Sequence, residues 1–426
     1  MNEAASPSPM IAAYNALRAR VVLCGLFFAV GLIATYAKQG MVVLLILTLA
    51  AQPGVMGALG AARSYSRDWT VRIGVILAAW MVVSLFWTPH PDFDVARVLL
   101  MPVMGLLLVK AVRDLPESDV ARVARWAMIG GIIMLVSLAL EIWSLGAFLR
   151  IGAPDWGPIP PGQTHPMLEI ASRGTAILAP LTFAYAHMLY VRTGRFIWPA
   201  LFVAGILAVC GSSSIDAAWV AVVFGLIAFG VSLCAPRFAL AALFGGLIIY
   251  AALAPVISST VLTPAMIGSD GGTARVGMES RIGIWHKASQ LIAEKPVLGH
   301  GFDSTRVLAK AAEGERTPGT PWLALPLHTH NAVLQIWLEL GAVGIAIVIA
   351  MLAAAARALW RFTDRPRDLA VILATVTATS FLILTSYGVW QHWWIATWLF
   401  AAALTVLALR AVRPSSASLS KPAPIS

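Results

Sequence analysis

The chain has 426 residues, of which 59% are hydrophobic and only 12% charged. A water-soluble domain carries about twice that share of charge, so the composition excludes a soluble enzyme or binding module and specifies a chain that crosses a membrane many times. The formal net charge of +10 does not argue for nucleic acid as a partner, because in such a chain the positives report orientation.

Residues 1–16 are small and polar and read as a mobile segment. Arg18 and Arg20 then precede an apolar run to Tyr36. No A-x-A site follows and another span comes at once, so this reads as an uncleaved first helix rather than a signal peptide. Further spans are expected at 40–60, 73–87, 95–112, 127–147, 170–191, 196–212, 216–234, 237–256, 331–355, 368–387 and 393–410. That makes about twelve transmembrane helices in one all-α integral membrane domain over 1–426. The run 73–87 is short, and Pro53, Gly54 and Pro180 interrupt their runs. Cys24, Cys210 and Cys234 lie in or beside apolar runs and read as core residues, not disulfide partners.

With the N-terminus inside, the basic residues of the short loops (Arg63, Arg67, Arg72, Arg122, Arg125, Arg192, Arg195, Arg361 and Arg365 among them) gather on the cytoplasmic side, while Lys38 and Arg150 stay outside. Nine spans then precede the one long loop, 257–330, and place it on the outer side; both termini are cytoplasmic. Within that loop, Gly268 to Thr273 reads as a flexible turn. Ser280 to Glu294 is helical, with Ile282, Trp285, Ala288, Leu291 and Ile292 on one face, and is expected to lie flat on the membrane interface. Pro296-Val297-Leu298-Gly299 ends it. The tail 414–426, rich in Ser and Pro, reads as disordered.

The loop closes on Leu327-His328-Thr329-His330-Asn331, where water meets hydrocarbon. Asn331 is an N-cap candidate for a helix running from Ala332, which sets the His330 imidazole at the positive helix end. That field favours the neutral ring, the form a general base needs. The plainer role is an interfacial histidine that bonds a loop. His328 and His330 at i, i+2 raise zinc, but no further ligands can be placed beside them, so neither a metal nor a cofactor is expected. Arg281 is the second candidate. If Ser280 caps the amphipathic helix, the Arg281 guanidinium lies beside free backbone N–H groups, a seat for a phosphate or pyrophosphate. Otherwise it is solvated or bound to lipid phosphate. Arg306 and Lys287 are weaker versions of the same idea.

Arg173 sits at the outer end of a span, where a charge needs a cavity or a partner; Glu169, one helical turn away, offers the partner. Glu141 and Glu339 lie near spans, each a possible partner for an arginine. Asp92-Phe93-Asp94 is a bare D-x-D that fits a solvated turn better than a divalent metal site. Trp390, His392, Trp393 and Trp394 read either as an interfacial belt or as a platform for sugar rings.

Two stretches resemble the O-antigen ligase family. One is His330-Asn331 with Gly341 and Gly344 downstream. The other is Ser280-Arg281-Ile282-Gly283-Ile284-Trp285 leading into Glu294-Lys295-Pro296-Val297-Leu298-Gly299-His300-Gly301. The resemblance runs over most of the chain. It implies a GT-C-type glycosyltransferase of the bacterial inner membrane with a periplasmic active site. Such an enzyme transfers O-antigen en bloc from undecaprenyl pyrophosphate to the lipid A–core oligosaccharide, with inversion and without a metal. It puts the essential histidine on His330 and the long-loop arginine on Arg281. Arg173, His328, Asn331, Arg306 and Lys287 stand beside them as substrate-binding candidates, and membrane lipids as further partners. One departure stands out: after Cys210-Gly211-Ser212-Ser213-Ser214 the family shows Ser-Arg, whereas this chain has Ile215-Asp216. Either Arg173 takes over that contact or the correspondence slips there. An O-antigen polymerase or a protein O-oligosaccharyltransferase shares these motifs. A secondary transporter or lipid flippase also needs about twelve spans, but here the charges gather at the outer rim and the two halves do not repeat.

Overall fold

The computed structural model describes residues 9–54, 57, 60, 63–89, 94–151, 166–263, 273–317 and 324–411. Its helices are α1 (Pro9–Tyr36), α2 (Gly40–Ile46), α3 (Trp69–Ser84), α4 (Asp94–Arg113), α5 (Glu117–Trp143), α6 (Ala147–Ile151), α7 (Pro166–Thr193), α8 (Ile197–Gly211), α9 (Asp216–Cys234), α10 (Pro236–Val256), α11 (Thr273–Glu294), α12 (Thr305–Ala311), α13 (Ala332–Leu359), α14 (Pro366–Thr385) and α15 (His392–Arg410). Among the described residues, nine helices are long and apolar enough to cross a membrane: α1, α4, α5, α7, α9, α10, α13, α14 and α15. The other three expected spans fall on shorter apolar helices, Gly40–Ala51, Trp69–Ser84 and Ile197–Gly211. The expected turn at 268–273 lies outside the described residues up to the start of α11 at Thr273, as do Asp92 and Phe93 of the D-x-D and the tail 414–426.

Inside a bilayer, lipid tails are as apolar as the side chains, so helices associate through close backbone approach rather than hydrophobic exclusion. α1 and α5 do this at facing glycines: a Cβ added to Gly31 would lie 2.0 Å from the Gly130 carbonyl oxygen. An Arg20–Asp119 ion pair at 2.9 Å joins the same two helices near one end. α1 buries Leu23, Phe27, Val30 and Ala34 in the main core, so it is an integral member of the bundle, as read from the sequence. α9 packs closely on α14, where Gly225 leaves room for the Ala374 carbonyl and the Phe183 ring.

The amphipathic helix differs from expectation in two ways. It starts at Thr273, so Ser280 is interior, and its Oγ donates to the Gly277 carbonyl at 3.0 Å instead of capping. Its apolar face is covered by protein, with Ile284, Trp285, Ala288 and Ile292 all buried where α11 meets α10 and α13. The cause is polar as well as apolar: the Trp285 indole N–H donates to the Thr329 carbonyl at 3.0 Å.

α13 is broken at Gly341, whose backbone stands at φ 64, ψ −165. A broken helix strands carbonyls and N–H groups that need partners in a membrane protein. The loop 296–301 supplies them. His300 N–H donates to the Leu338 carbonyl and Gly301 N–H to that of Glu339, both at 2.8 Å, while Ala342 N–H donates to the Pro296 carbonyl at 2.9 Å. The Trp80 indole takes the Leu340 carbonyl at 3.0 Å. The fit needs glycine on both sides: a Cβ on Gly299 would lie 2.5 Å from the Glu339 carbonyl, and one on Gly341 would lie 2.3 Å from the Val297 carbonyl oxygen. The two sequence stretches that carry the family resemblance are thus one interlocked unit. Gly341→Ala, combining a left-handed φ with this clash, should cost at least about 2 kcal/mol and visibly lower the melting temperature in detergent. Gly246→Ala in α10, where an added Cβ meets nothing within 4 Å, should leave it unchanged or raise it.

Candidate active site

The last turn of any helix leaves carbonyls without intrahelical partners, and they carry the negative end of its dipole. α14 ends at Thr385, and its terminal carbonyls face the long loop. Arg281 Nε donates to the Thr385 carbonyl at 2.6 Å. His330 Nδ1 meets the carbonyl of the next residue, Ser386. Arg281 Nη1 is also anchored, to the Gly277 carbonyl at 2.8 Å. The expected seat at a helix N-terminus is therefore replaced by a helix C-terminus that holds the guanidinium. Burial pulls the Arg281 pKa below that of a free arginine, and the Asp216 carboxylate counters it; the group stays charged. Asp216 is thus part of the same electrostatic set.

The turn bearing His330 is clamped on both sides. Asn331 is the N-cap of α13, its Oδ1 accepting from Val333 and Leu334 N–H, each at 3.1 Å. Its Nδ2 donates to the Tyr250 hydroxyl at 2.5 Å. Thr329 Oγ1 donates to the Asn331 carbonyl at 2.7 Å. Between them His330 adopts φ 53, a left-handed conformation that costs on the order of 1 kcal/mol for a residue with a side chain and persists where surroundings enforce it. Burial pushes the His330 pKa down to about 3, with His328 and Arg281 acting in the same direction against the Ser386 carbonyl. The ring is neutral at physiological pH. With Nδ1–H committed to Ser386, the lone pair is on Nε2.

His328 packs edge-on against His330, ring centroids 4.2 Å apart. Burial lowers its pKa, and Arg306 adds to the effect. Gly388 leaves its ring room: a Cβ there would lie 3.0 Å from His328 Cδ2. Arg173 Nη2 is paired with Glu169, the partner read from the sequence. The Tyr387 hydroxyl senses the charges of both Arg173 and Arg281. On the His328 side, Arg306 bonds Asp303 at 3.1 Å and lines an open cleft of about 460 Å³ with Lys310, Glu313 and Leu327. Lys287 is committed to Glu315 at 2.7 Å, and no contact ties it to the imidazole pair among the described residues.

Two further expectations are corrected. Among the described residues Glu339 meets no arginine: its buried carboxylate accepts from Thr305 Oγ1 at 2.5 Å, Asp303 N–H at 2.9 Å, Gln335 Nε2 at 3.0 Å and the Trp390 indole at 2.6 Å. Trp393 and Trp394 are buried and pack on Tyr387, so they form an internal aromatic wall and not a lipid-facing belt. Lys38 stands over the Trp393 ring at 5.0 Å. Sequence reading missed the 385–388 turn. The only signal is Ser386-Tyr387-Gly388, a polar break between two apolar runs.

Comparison with known proteins gives a consistent picture. Residues 200–349 match the family model described as O-antigen ligase. The chain is 24% identical over 348 residues to a protein of Rickettsia typhi, covering 80% of this chain and 81% of that one. It is 22% identical over 352 residues to one of Rickettsia felis, with the same coverage of each. Against a protein of Rickettsia conorii the identity is 32%, over 132 residues that span 30% of this chain and 32% of the relative. All three bear the name "putative polysaccharide ligase".

A buried neutral histidine makes stability depend on pH. The His330 pKa lies at about 3 in the folded chain, against an ordinary value of 6.5. Between these values the unfolded chain binds the proton and the folded one does not, so stability present above pH 6.5 is lost as pH falls towards 3. The loss attributable to this ring should reach about 2–3 kcal/mol by pH 4. Melting temperatures of the detergent-solubilised protein should therefore fall from pH 7 to pH 4, and less steeply in His330→Gln, with His328 retaining its own smaller share.

Proposed function

We propose that this chain, a member of the O-antigen ligase family by its match over residues 200–349 and its polysaccharide-ligase relatives, is a GT-C-type glycosyltransferase. It moves a polysaccharide en bloc from undecaprenyl pyrophosphate to the lipid A–core oligosaccharide at the periplasmic face of the inner membrane. The transfer inverts the anomeric carbon and uses no metal. The observation that carries this reading is the pairing of a neutral imidazole with a buried guanidinium on consecutive carbonyls, Ser386 and Thr385.

In this reading the acceptor hydroxyl approaches His330 Nε2, which takes its proton as the oxygen bonds to the anomeric carbon. The bond from that carbon to the diphosphate oxygen breaks, and its electron pair stays on the leaving lipid diphosphate. Arg281 and Arg173 offset the charge that builds there, and such electrostatic stabilisation commonly dominates the rate acceleration. Both are held before substrate arrives, Arg281 by Thr385 and Gly277 and Arg173 by Glu169, so little reorganisation accompanies the step. Asn331 and His328 shape the histidine turn. Arg306 and Lys310 line the cleft that ends at Leu327, next to His328 in the chain, where an acceptor bearing anionic groups fits.

The test is reconstitution with lipid-linked glycan and rough lipopolysaccharide, with and without a chelator. His330→Ala should lower transfer at least about 100-fold while donor binding survives. Arg281→Lys keeps the charge but loses the fork bonded to two carbonyls, and should lower turnover about tenfold or more. Near-normal turnover in His330→Ala overturns the base assignment, and loss of activity with chelator overturns metal independence. Products extended by single repeats instead of transferred whole would reassign the chain to polymerisation.

A further inference from the structure

Three successive residues leave α14 towards the candidate site. The Thr385 carbonyl holds Arg281 and the Ser386 carbonyl holds His330. Tyr387, the third, has its hydroxyl buried, with no hydrogen-bond partner among the described residues. A phenol that deep normally finds a partner, because an unmet donor costs about 1–3 kcal/mol. Its ring is not loose: Trp393 lies edge-on with centroids 4.8 Å apart, and Trp394 lies tilted at 5.3 Å. The aromatic wall therefore fixes where the hydroxyl points. The charged groups within its reach are Arg173, Glu169 and Arg281. Burial drives its pKa well above that of an ordinary tyrosine, so the group is a donor and never a phenolate. A buried neutral donor that senses two guanidiniums, with its proton unspent among the described residues, matches an oxyanion that the cations attract and the hydroxyl orients.

We propose that Tyr387 is a diphosphate-binding residue of this site, its hydroxyl donating a hydrogen bond to a phosphate oxygen of the lipid-linked donor between Arg173 and Arg281. This rests on the lipid-diphosphate donor proposed above. The bond forms with the ground-state diphosphate and strengthens as the leaving group gains charge, so its removal affects both binding and turnover. No proton leaves the tyrosine, because the leaving diphosphate departs as an anion paired with the two arginines.

Tyr387→Phe tests it in the full-length purified protein, with farnesyl diphosphate as the binding probe. The hydroxyl has no partner to lose among the described residues, so the variant's melting temperature should equal or exceed that of the parent. Its affinity for farnesyl diphosphate should fall about five- to twentyfold, with little change for farnesol. Transfer measured as kcat/KM should fall by tenfold or more. Unchanged probe affinity in the variant overturns the role of Tyr387 and leaves the donor assignment intact. A lower melting temperature in the variant also overturns it, because the hydroxyl would then be serving the fold. If the parent protein itself binds farnesyl diphosphate no better than farnesol, the donor assignment fails and Tyr387 falls with it.

Discussion

The end of α14 is the constraint on which the site depends. Two adjacent carbonyls that a helix cannot satisfy internally are turned on the two groups proposed to act, Arg281 through Thr385 and His330 through Ser386. Each bond does two things. It satisfies an acceptor at membrane depth, where water is scarce, and it fixes a functional group. On His330 it also chooses the tautomer, because a ring that gives Nδ1–H to a carbonyl keeps its lone pair on Nε2. Charge and protonation state are set by the same few atoms of main chain.

The second constraint is the broken helix. α13 stops at Gly341, and the loop 296–301 fills the gap with backbone hydrogen bonds. Because Glu339 in the same segment also receives Thr305, Asp303, Gln335 and Trp390, the short half-helix that starts at Ala332 is tied to three other stretches of chain. Asn331 caps it and Tyr250 holds Asn331. The histidine turn is therefore mounted on a heavily cross-linked half-helix, even though His330 belongs to a loop. Secondary transporters use broken helices to expose carbonyls to an ion path; here the carbonyls of Leu338, Glu339 and Leu340 all have donors, which removes that use of the break.

Much of this was legible from the sequence, and what was not has a physical reason. Apolar run length placed nine of the twelve expected spans on helices long enough to cross a membrane and the other three on shorter apolar helices, because burying backbone polar groups in lipid leaves few alternatives to a helix. Asn331 as an N-cap and the Arg173–Glu169 pair followed from spacing alone, since both are local. The start of α11 was misread because Ser280 looks like a cap, while the helix begins at Thr273 in a segment without apolar periodicity. The wall formed by Trp393 and Trp394 was misread because a lipid-facing and a protein-facing tryptophan have the same letters. Tyr387 and Ser386 were invisible for a third reason. Ser386 matters through its contact with His330, 56 positions away, and Tyr387 through charges far from it in the chain; no local pattern encodes either.

His330 stands in a left-handed backbone well, which its own side chain disfavours and which burial of its ring makes costlier in acid. Glycine, or asparagine with its tolerance for this region, would sit there with less strain. Selection for thermal robustness alone would thus drift away from an imidazole at this position. On the proposed role, the residue marks a point where durability and chemistry pull in opposite directions, and a hardened variant of this protein obtained without an activity screen would be expected to have lost this imidazole.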